Sequence, residues 1–377
     1  MKRSCLFVAL CAALFFVSCK DAEQTEPDTH PILKVGGITA TSLSDICASV
    51  EFIPLETNEE SLIKNIKKIV LFEDKYFIFD KSLFSIFIFD KDGRFVTKIH
   101  RIGQGPGEYT MLYDFLVKGE QKRIDLLNPM GSVLTYDFDG NFIESLRLPS
   151  PPLNYWRIFS PNDSSYTFYS SPNHDEERPI THLSKNAPER LCYNDFKHSD
   201  QMVSSFGCSG YTYLDELYIC EGISDHVYKL VDTSYVVAYE WDFGHRMNDF
   251  MKTIKSTPEN MNEIISEYVD NLHGNPNNFI RWQDFQTDKW YYSSLMKREF
   301  DYHNVFYEKG TGKYHYFRQT EEGVKFEIRY MNDDYCVGVI DSGCIPDILE
   351  RRAVENIEVF ENRKEDDNPI LIKMNFK

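Results

Sequence analysis

Tyr76-Phe77-Ile78-Phe79-Asp80, Ser85-Ile86-Phe87-Ile88-Phe89, Asp90-Lys91-Asp92-Gly93 and Arg94-Phe95-Val96-Thr97-Lys98-Ile99 read in order as strand, strand, turn and strand. Ile66-Lys67-Lys68-Ile69-Val70-Leu71-Phe72 precedes them as another strand, closed by the turn Glu73-Asp74-Lys75. Short runs of β-branched and aromatic residues, punctuated by Asp-Gly, signal hairpins. The unit then recurs. Arg123-Ile124-Asp125-Leu126-Leu127 matches the Tyr76 strand, and Val133-Leu134-Thr135-Tyr136 the Phe87 strand. Asp137-Phe138-Asp139-Gly140 matches Asp90 to Gly93, and Asn141-Phe142-Ile143-Glu144-Ser145-Leu146 matches Arg94 to Ile99. Gly93 and Gly140 are 47 residues apart. A four-strand repeat of roughly 40 to 50 residues is the period of a propeller blade.

Fainter copies follow. Glu216 to Cys220, His226 to Leu230 and Tyr235 to Tyr239 form one set, with Asp232 in its turn. Asn304 to Tyr307 and Tyr314 to Arg318 form a hairpin about Gly310-Thr311-Gly312. Two stretches break the pattern. Pro258 to Leu272 places Met261, Ile264, Ile265 and Tyr268 at helical spacing, with proline at a helix start, and predicts one amphipathic helix inserted between blades. Ser171 to Pro179 is a polar loop.

The N-terminus carries an address. Met1-Lys2-Arg3 is basic, Leu6 to Val17 is apolar, and Ser18 precedes Cys19. Twelve apolar residues fall short of the about 20 that span a bilayer. Residues 1–18 therefore read as a secretory signal, cut before Cys19. Val17-Ser18-Cys19 resembles a bacterial lipoprotein box, with Phe16 where leucine is usual. The alternative is plain secretion with Cys19 incidental. Acyl chains on Cys19 hold a protein to a membrane because each buried CH₂ contributes about 0.8 kcal/mol. The acidic run Lys20 to Asp28 opens a tether assigned to residues 19–44, which leaves 45–377 for the ring.

The chain has a formal charge of -18, or -20 once residues 1–18 and their Lys2 and Arg3 are removed. Such a chain repels phosphate backbones, so nucleic acid is excluded as a partner. Neutral glycans, peptides, cations and proteins are allowed. Cys47, Cys192, Cys208, Cys220, Cys336 and Cys344 remain after Cys19. Their pairing is open. Cys336 and Cys344 flank a short hairpin and read either as a bridge or as two buried thiols, with the thiols favoured. No CxxC or closely spaced Cys/His cluster occurs, so no metal site and no cofactor is expected.

Gly103-Gln104-Gly105-Pro106-Gly107-Glu108-Tyr109 resembles the GxGPGEY signature of the β-propeller lipoproteins of Bacteroidetes, which are distantly similar to NHL-repeat propellers. Asp225-His226-Val227-Tyr228 with Trp241-Asp242-Phe243-Gly244, and Asp366 to Ile372, look like later parts of that family. The resemblance implies six blades and an outer-membrane address, on the periplasmic or cell-surface side. It implies no chemistry. In such a ring the first strand closes the last blade, so Val50 to Leu55 is expected to pair with Ile370 to Met374.

The candidate binding residues are few. Gly103, Gly105 and Gly107 form either an anion nest near Arg101, Glu108 and Tyr109, or a tight crossing between blades. The crossing is favoured, because glycine loops are mostly structural punctuation. Trp282, Trp290 and Tyr291 lie in an aromatic-dense stretch suited to a sugar ring or a protein hot spot, with packing against the neighbouring blade favoured. No catalytic motif is present, and no catalytic residue is assigned. The sequence thus reads as an all-β, six-bladed propeller with one helical insertion, carried on a lipoprotein signal and a short tether. It acts as a binding or scaffold module for a glycan, peptide or protein. The alternative is an enzyme on glycans or peptides with its site at the channel mouth.

Overall fold

The computed structural model describes residues 30–377 except 130, 149–154, 161–164, 171–179, 185–190, 194–207, 223, 232–233, 245–265, 268–269, 273, 276 and 298–300. The signal, Cys19 and the acidic run lie outside the described residues, as does the polar loop from Ser171 to Pro179.

The chain lays down β1 (Ile32–Lys34) and β2 (Cys47–Pro54) before the first complete blade. Blade 1 is β3 (Ile66–Phe72), β4 (Lys75–Asp80), β5 (Ser85–Asp90) and β6 (Phe95–Ile99). Blade 2 is β7 (Asp114–Lys118), β8 (Arg123–Asn128), β9 (Ser132–Asp137) and β10 (Phe142–Arg147). Blade 3 is β11 (Tyr155–Phe159), β12 (Ser165–Ser170), β13 (Ile180–Ser184) and β14 (Leu191–Tyr193). Blade 4 is β15 (Cys208–Tyr213), β16 (Glu216–Glu221), β17 (His226–Val231) and β18 (Ser234–Asp242), with β1 added parallel at its outer edge. Blade 5 is β19 (Ile280–Gln286), β20 (Trp290–Met296), β21 (Tyr302–Glu308) and β22 (Tyr314–Phe317). Blade 6 is β23 (Phe326–Met331), β24 (Tyr335–Ile340) and β25 (Ile370–Phe376), completed by β2. The fold is a six-bladed β-propeller.

The repeat read from the sequence holds at atomic detail. Asp90 Oδ1 accepts from the amides of Asp92 (3.0 Å) and Arg94 (2.9 Å). Asp137 Oδ1 does the same with Asp139 (3.0 Å) and Asn141 (2.8 Å). Gly93 and Gly140 take φ of +80° and +84°, which side chains avoid.

The ring closes as expected. Val50 pairs with Met374, Phe52 with Ile372 and Pro54 with Ile370. Pro54 ends the outermost strand, where its missing N–H costs no ladder bond. Closure removes the open edge of β25, and Phe52, Ile53 and Leu55 are buried by it.

The tether is shorter than the 19–44 assigned to it. Ile32–Lys34 pairs with blade 4, and a helix at Leu43–Ile46 buries Leu43 and Ile46. The reason is local: Leu33 and Val35 are apolar and sink to 2% and 3% exposure, so this stretch packs. The predicted helix at 258–272 lies mostly outside the described residues; positions 266, 267 and 270–272 are helical, and Leu272 is buried in the core. Short helices at Ile345–Arg351 and Glu358–Glu361, inserted between β24 and β25, were not foreseen. Cys336 and Cys344 are free and buried, as is Cys47. Burial pushes the Cys47 and Cys344 thiols up to about 11, which makes them poor nucleophiles. The side chains of Cys192 and Cys208 lie outside the description. Among the described residues, no helix is long and apolar enough to cross a membrane.

Candidate functional site: the axial channel

The first strand of each blade faces the axis. Together β3, β7, β11, β15, β19 and β23 line a cavity of about 420 Å³. Four of these six strands share one irregularity near their first half. The pairing register skips Lys67 in β3, Trp156 in β11, Trp282 in β19 and Arg329 in β23. Such a bulge inserts one extra residue and re-aims its side chain. Three of these side chains gather at one place. The Lys67 ammonium sits 4.3 Å from the centroid of the Trp282 ring, and the Arg329 charge presses on it from β23.

Two kinds of charge occupy the channel. Asp114 is fully engaged: it accepts from Lys68 Nζ (2.8 Å), from its neighbour's amide at Phe115 (2.8 Å) and from the Ile158 amide (3.1 Å). Lys68 also donates to the Phe115 carbonyl at 2.7 Å. This pair stitches blades 1, 2 and 3 together. Lys67 and Arg329 are different. Among the described residues Lys67 has neither an ion pair nor a hydrogen bond, only Trp282 beneath it. Arg329 spends Nη2 on Glu327 Oε2 (2.8 Å), while its Nε and Nη1 are buried with no acceptor among the described residues. A buried donor left unmade costs about 1 to 3 kcal/mol, more for a charged group.

The electrostatics follow. Burial, then repulsion from Arg157 and Arg329, lowers the Lys67 ammonium from its ordinary 10.5 to about 7. Burial, then Arg157, lowers Lys81 to about 8. Lys81 lies over the Tyr113 ring at 3.5 Å and donates to the Leu112 carbonyl. Tyr113 in turn meets Trp156 edge-on. Burial raises the Glu327 carboxyl against the pull of Arg329 and Lys67. Arg329 also borders a second cleft of about 360 Å³, lined by Lys64, Asp301, Tyr302, Lys325 and Glu327 among others. A strongly acidic chain thus keeps a cation-rich, aromatic-walled pocket on its axis. Such a pocket is suited to holding an anionic group.

The residues singled out in the sequence fall in three places. Arg101, Glu108 and Tyr109 belong to the crossing from blade 1 to blade 2, and none lines the axial cavity. Tyr109 is 1% exposed, and its hydroxyl bonds to the Phe84 carbonyl (2.9 Å). The Glu108 carboxylate accepts from the Gly105 amide (2.8 Å) and covers Gly103, where a Cβ would lie 2.0 Å from Glu108 Oε2. Arg101 is exposed. Trp290 is buried against Phe306 and His315, at the opposite end of the β19–β20 hairpin from Trp282. Tyr291 is half-buried between Tyr239 and the Lys309 ammonium. Of the six, only Trp282 meets the channel charges. Lys67, Lys81, Arg157 and Arg329 were not singled out; the one available signal, for Lys67, Arg157 and Arg329, was a cation within a blade's first strand.

Among solved structures, a Bacteroides fragilis protein described as exported matches with a TM-score of 0.70 at 20% identity, over 92% of this chain and 99% of its own. A DUF4221 family member from Bacteroides vulgatus matches with a TM-score of 0.56 at 11% identity, over 88% and 97%. At these identities the likeness is one of fold. No curated protein matches the chain. The model of the domain of unknown function DUF4934 matches residues 34–375, nearly the whole described propeller, and the chain belongs to that family.

Proposed function

We propose that the protein is a lipid-anchored binding module of the outer membrane that holds an anionic group of an extracytoplasmic ligand, foremost an acidic glycan, on the propeller axis. The observation that carries the reading is Arg329. Its Nε and Nη1 are buried without an acceptor among the described residues, and its charge adds to that of Lys67, which feels Glu327 and Asp114 but forms an ion pair with neither. A carboxylate or sulfate would satisfy both, and Trp282 offers a flat face to a sugar ring. The address rests on the Met1–Cys19 signal and on the fold shared with an exported Bacteroides protein.

The test is an array of neutral, uronate-bearing and sulfated glycans. The wild type should retain acidic members, and Arg329→Met and Lys67→Met should each lose them. Retention of neutral sugars alone, or unchanged binding by both variants, defeats the proposal.

One observation favours the enzyme reading. Lys67 is shifted down to about 7 and Glu327 up, side by side. Groups whose titration is drawn toward neutral pH by burial serve as acids and bases in many active sites. Turnover of any array member, lost in Glu327→Gln, would establish that reading.

A further inference from the structure

On the outer edge of blade 4, far from the axis, three strands bring two imidazoles and a carboxylate together. His226 opens β17 and is paired directly with Glu240 of β18. Glu240 is also the partner of Ile32 in β1, and His30 lies two residues before Ile32. Residues two apart on an extended segment point to the same face. His30, Glu240 and His226 therefore form one row across β1, β18 and β17.

The donor atoms converge. Glu240 Oε2 lies 3.5 Å from His30 Nε2 and 3.3 Å from His226 Nε2, and the three donors lie within 4.8 Å of one another. Around a single zinc ion with bonds of about 2.1 Å, tetrahedral ligand atoms sit about 3.4 Å apart. Without a metal, both imidazoles would have to donate Nε2–H to the same carboxylate oxygen, at 3.5 and 3.3 Å, with ring centroids 6.1 Å apart. A divalent cation resolves that crowding with neutral rings. The side chains are 21%, 28% and 12% exposed for His30, His226 and Glu240, which leaves one side open to water. Two histidines and one carboxylate with an open position suit a first-row transition ion, zinc before others.

We infer that His30, His226 and Glu240 form a zinc site that staples the segment leading to the membrane anchor onto blade 4. The staple would add to two backbone bonds already there, Glu240 N to Pro31 O (2.9 Å) and Val35 N to Asp242 O (2.8 Å). Zinc thereby fixes the point at which the ring leaves its tether. This role is independent of the axial pocket.

The full chain, purified in detergent and stripped with chelator, is titrated with zinc and then with cobalt. The expected result is one equivalent of zinc bound at submicromolar Kd, and a cobalt complex with the intense visible bands of a low-coordinate site. His30→Ala and Glu240→Gln should each weaken zinc at least 100-fold. Zinc should slow protease cleavage around residues 30–35 in the wild type only. Equal urea midpoints for variants and wild type without zinc would show that the fold is intact, and His226→Ala serves if either variant fails that control. No zinc bound by the wild type, or equal affinity in the variants, overturns the inference.

Discussion

Lys67→Met removes a charge that the fold holds at a cost. Methionine keeps the length of the side chain and its contact with Trp282, but carries no proton. The lysine titrates near 7 in the folded protein and near its ordinary 10.5 when unfolded. The folded state therefore binds fewer protons than the unfolded state between those values. Stability of the wild type should rise with pH across that window and be lowest below about pH 7, where the buried ammonium must stay charged. Each pH unit is worth about 1.4 kcal/mol. The ceiling on the penalty is thus about 5 kcal/mol. Water in the cavity and the lost cation–π contact, about 0.5 to 2 kcal/mol, leave an expected gain of about 2 kcal/mol for the variant below pH 7. Urea unfolding of both proteins from pH 5.5 to 10 reads this directly. The gap should be widest at low pH and shrink as pH rises from 7 toward 10.5. A gap that stays constant over the whole range would refute the argument. The same substitution should abolish the proposed capture of anions.

Gly93→Ala should cost about 2 kcal/mol or more, since φ is +80° and a Cβ would lie 2.3 Å from the Pro54 carbonyl of the closing strand; an unchanged urea midpoint would contradict this. Arg281→Met should destabilise by about 3 to 5 kcal/mol, because it leaves Asp284 buried at 1% side-chain exposure without its cation at 3.9 Å. Calorimetry showing equal stability would show that this pair is neutral. Cys19→Ala should move the protein from the membrane fraction to the soluble fraction; a variant still bound to membranes would rule out lipidation at that residue. Anion binding by the wild type should take up a proton above pH 7, as the ligand draws Lys67 back to its charged form; identical heats in buffers of different ionisation enthalpy would count against it.

The ring was legible because its signal is repeated. Asp90 to Gly93 and Asp137 to Gly140 carry the same turn chemistry, since a tight hairpin needs a side-chain acceptor and a residue at positive φ. The closing pair of Val50 to Pro54 with Ile370 to Met374 was legible for a topological reason: a ring must hide its last edge. Blade 3 was not legible, and neither was β1. The first has strands such as Tyr155–Phe159 with no Asp-Gly turn between them, and the second is three residues long. A strand that short is fixed by the edge it meets, and sequence does not show that edge.

The axial pocket was illegible for a deeper reason. Its polar residues come from separate blades, so Lys67, Asp114, Arg157 and Arg329 are tens of residues apart and form no motif. Lys67 and Arg329 are also set on the axis by bulges, and a bulge is a mismatch between two strands that is invisible in either alone. Lys67 in Ile66-Lys67-Lys68-Ile69 reads as a solvent-facing position between apolar ones, whereas the extra residue turns it to the axis beside Trp282. Trp282 was found because an aromatic stands out anywhere. Its cation was missed because lysines are common. The zinc ligands repeat the lesson at the ring's edge: His30 and Glu240 are 210 residues apart and meet only because β1 adds to β18. In a closed ring, charges that lack a partner in the sequence find their neighbours across blades. Buried donors left without an acceptor among the described residues, such as Arg329 Nε and Nη1, are therefore a better pointer to function here than any local motif.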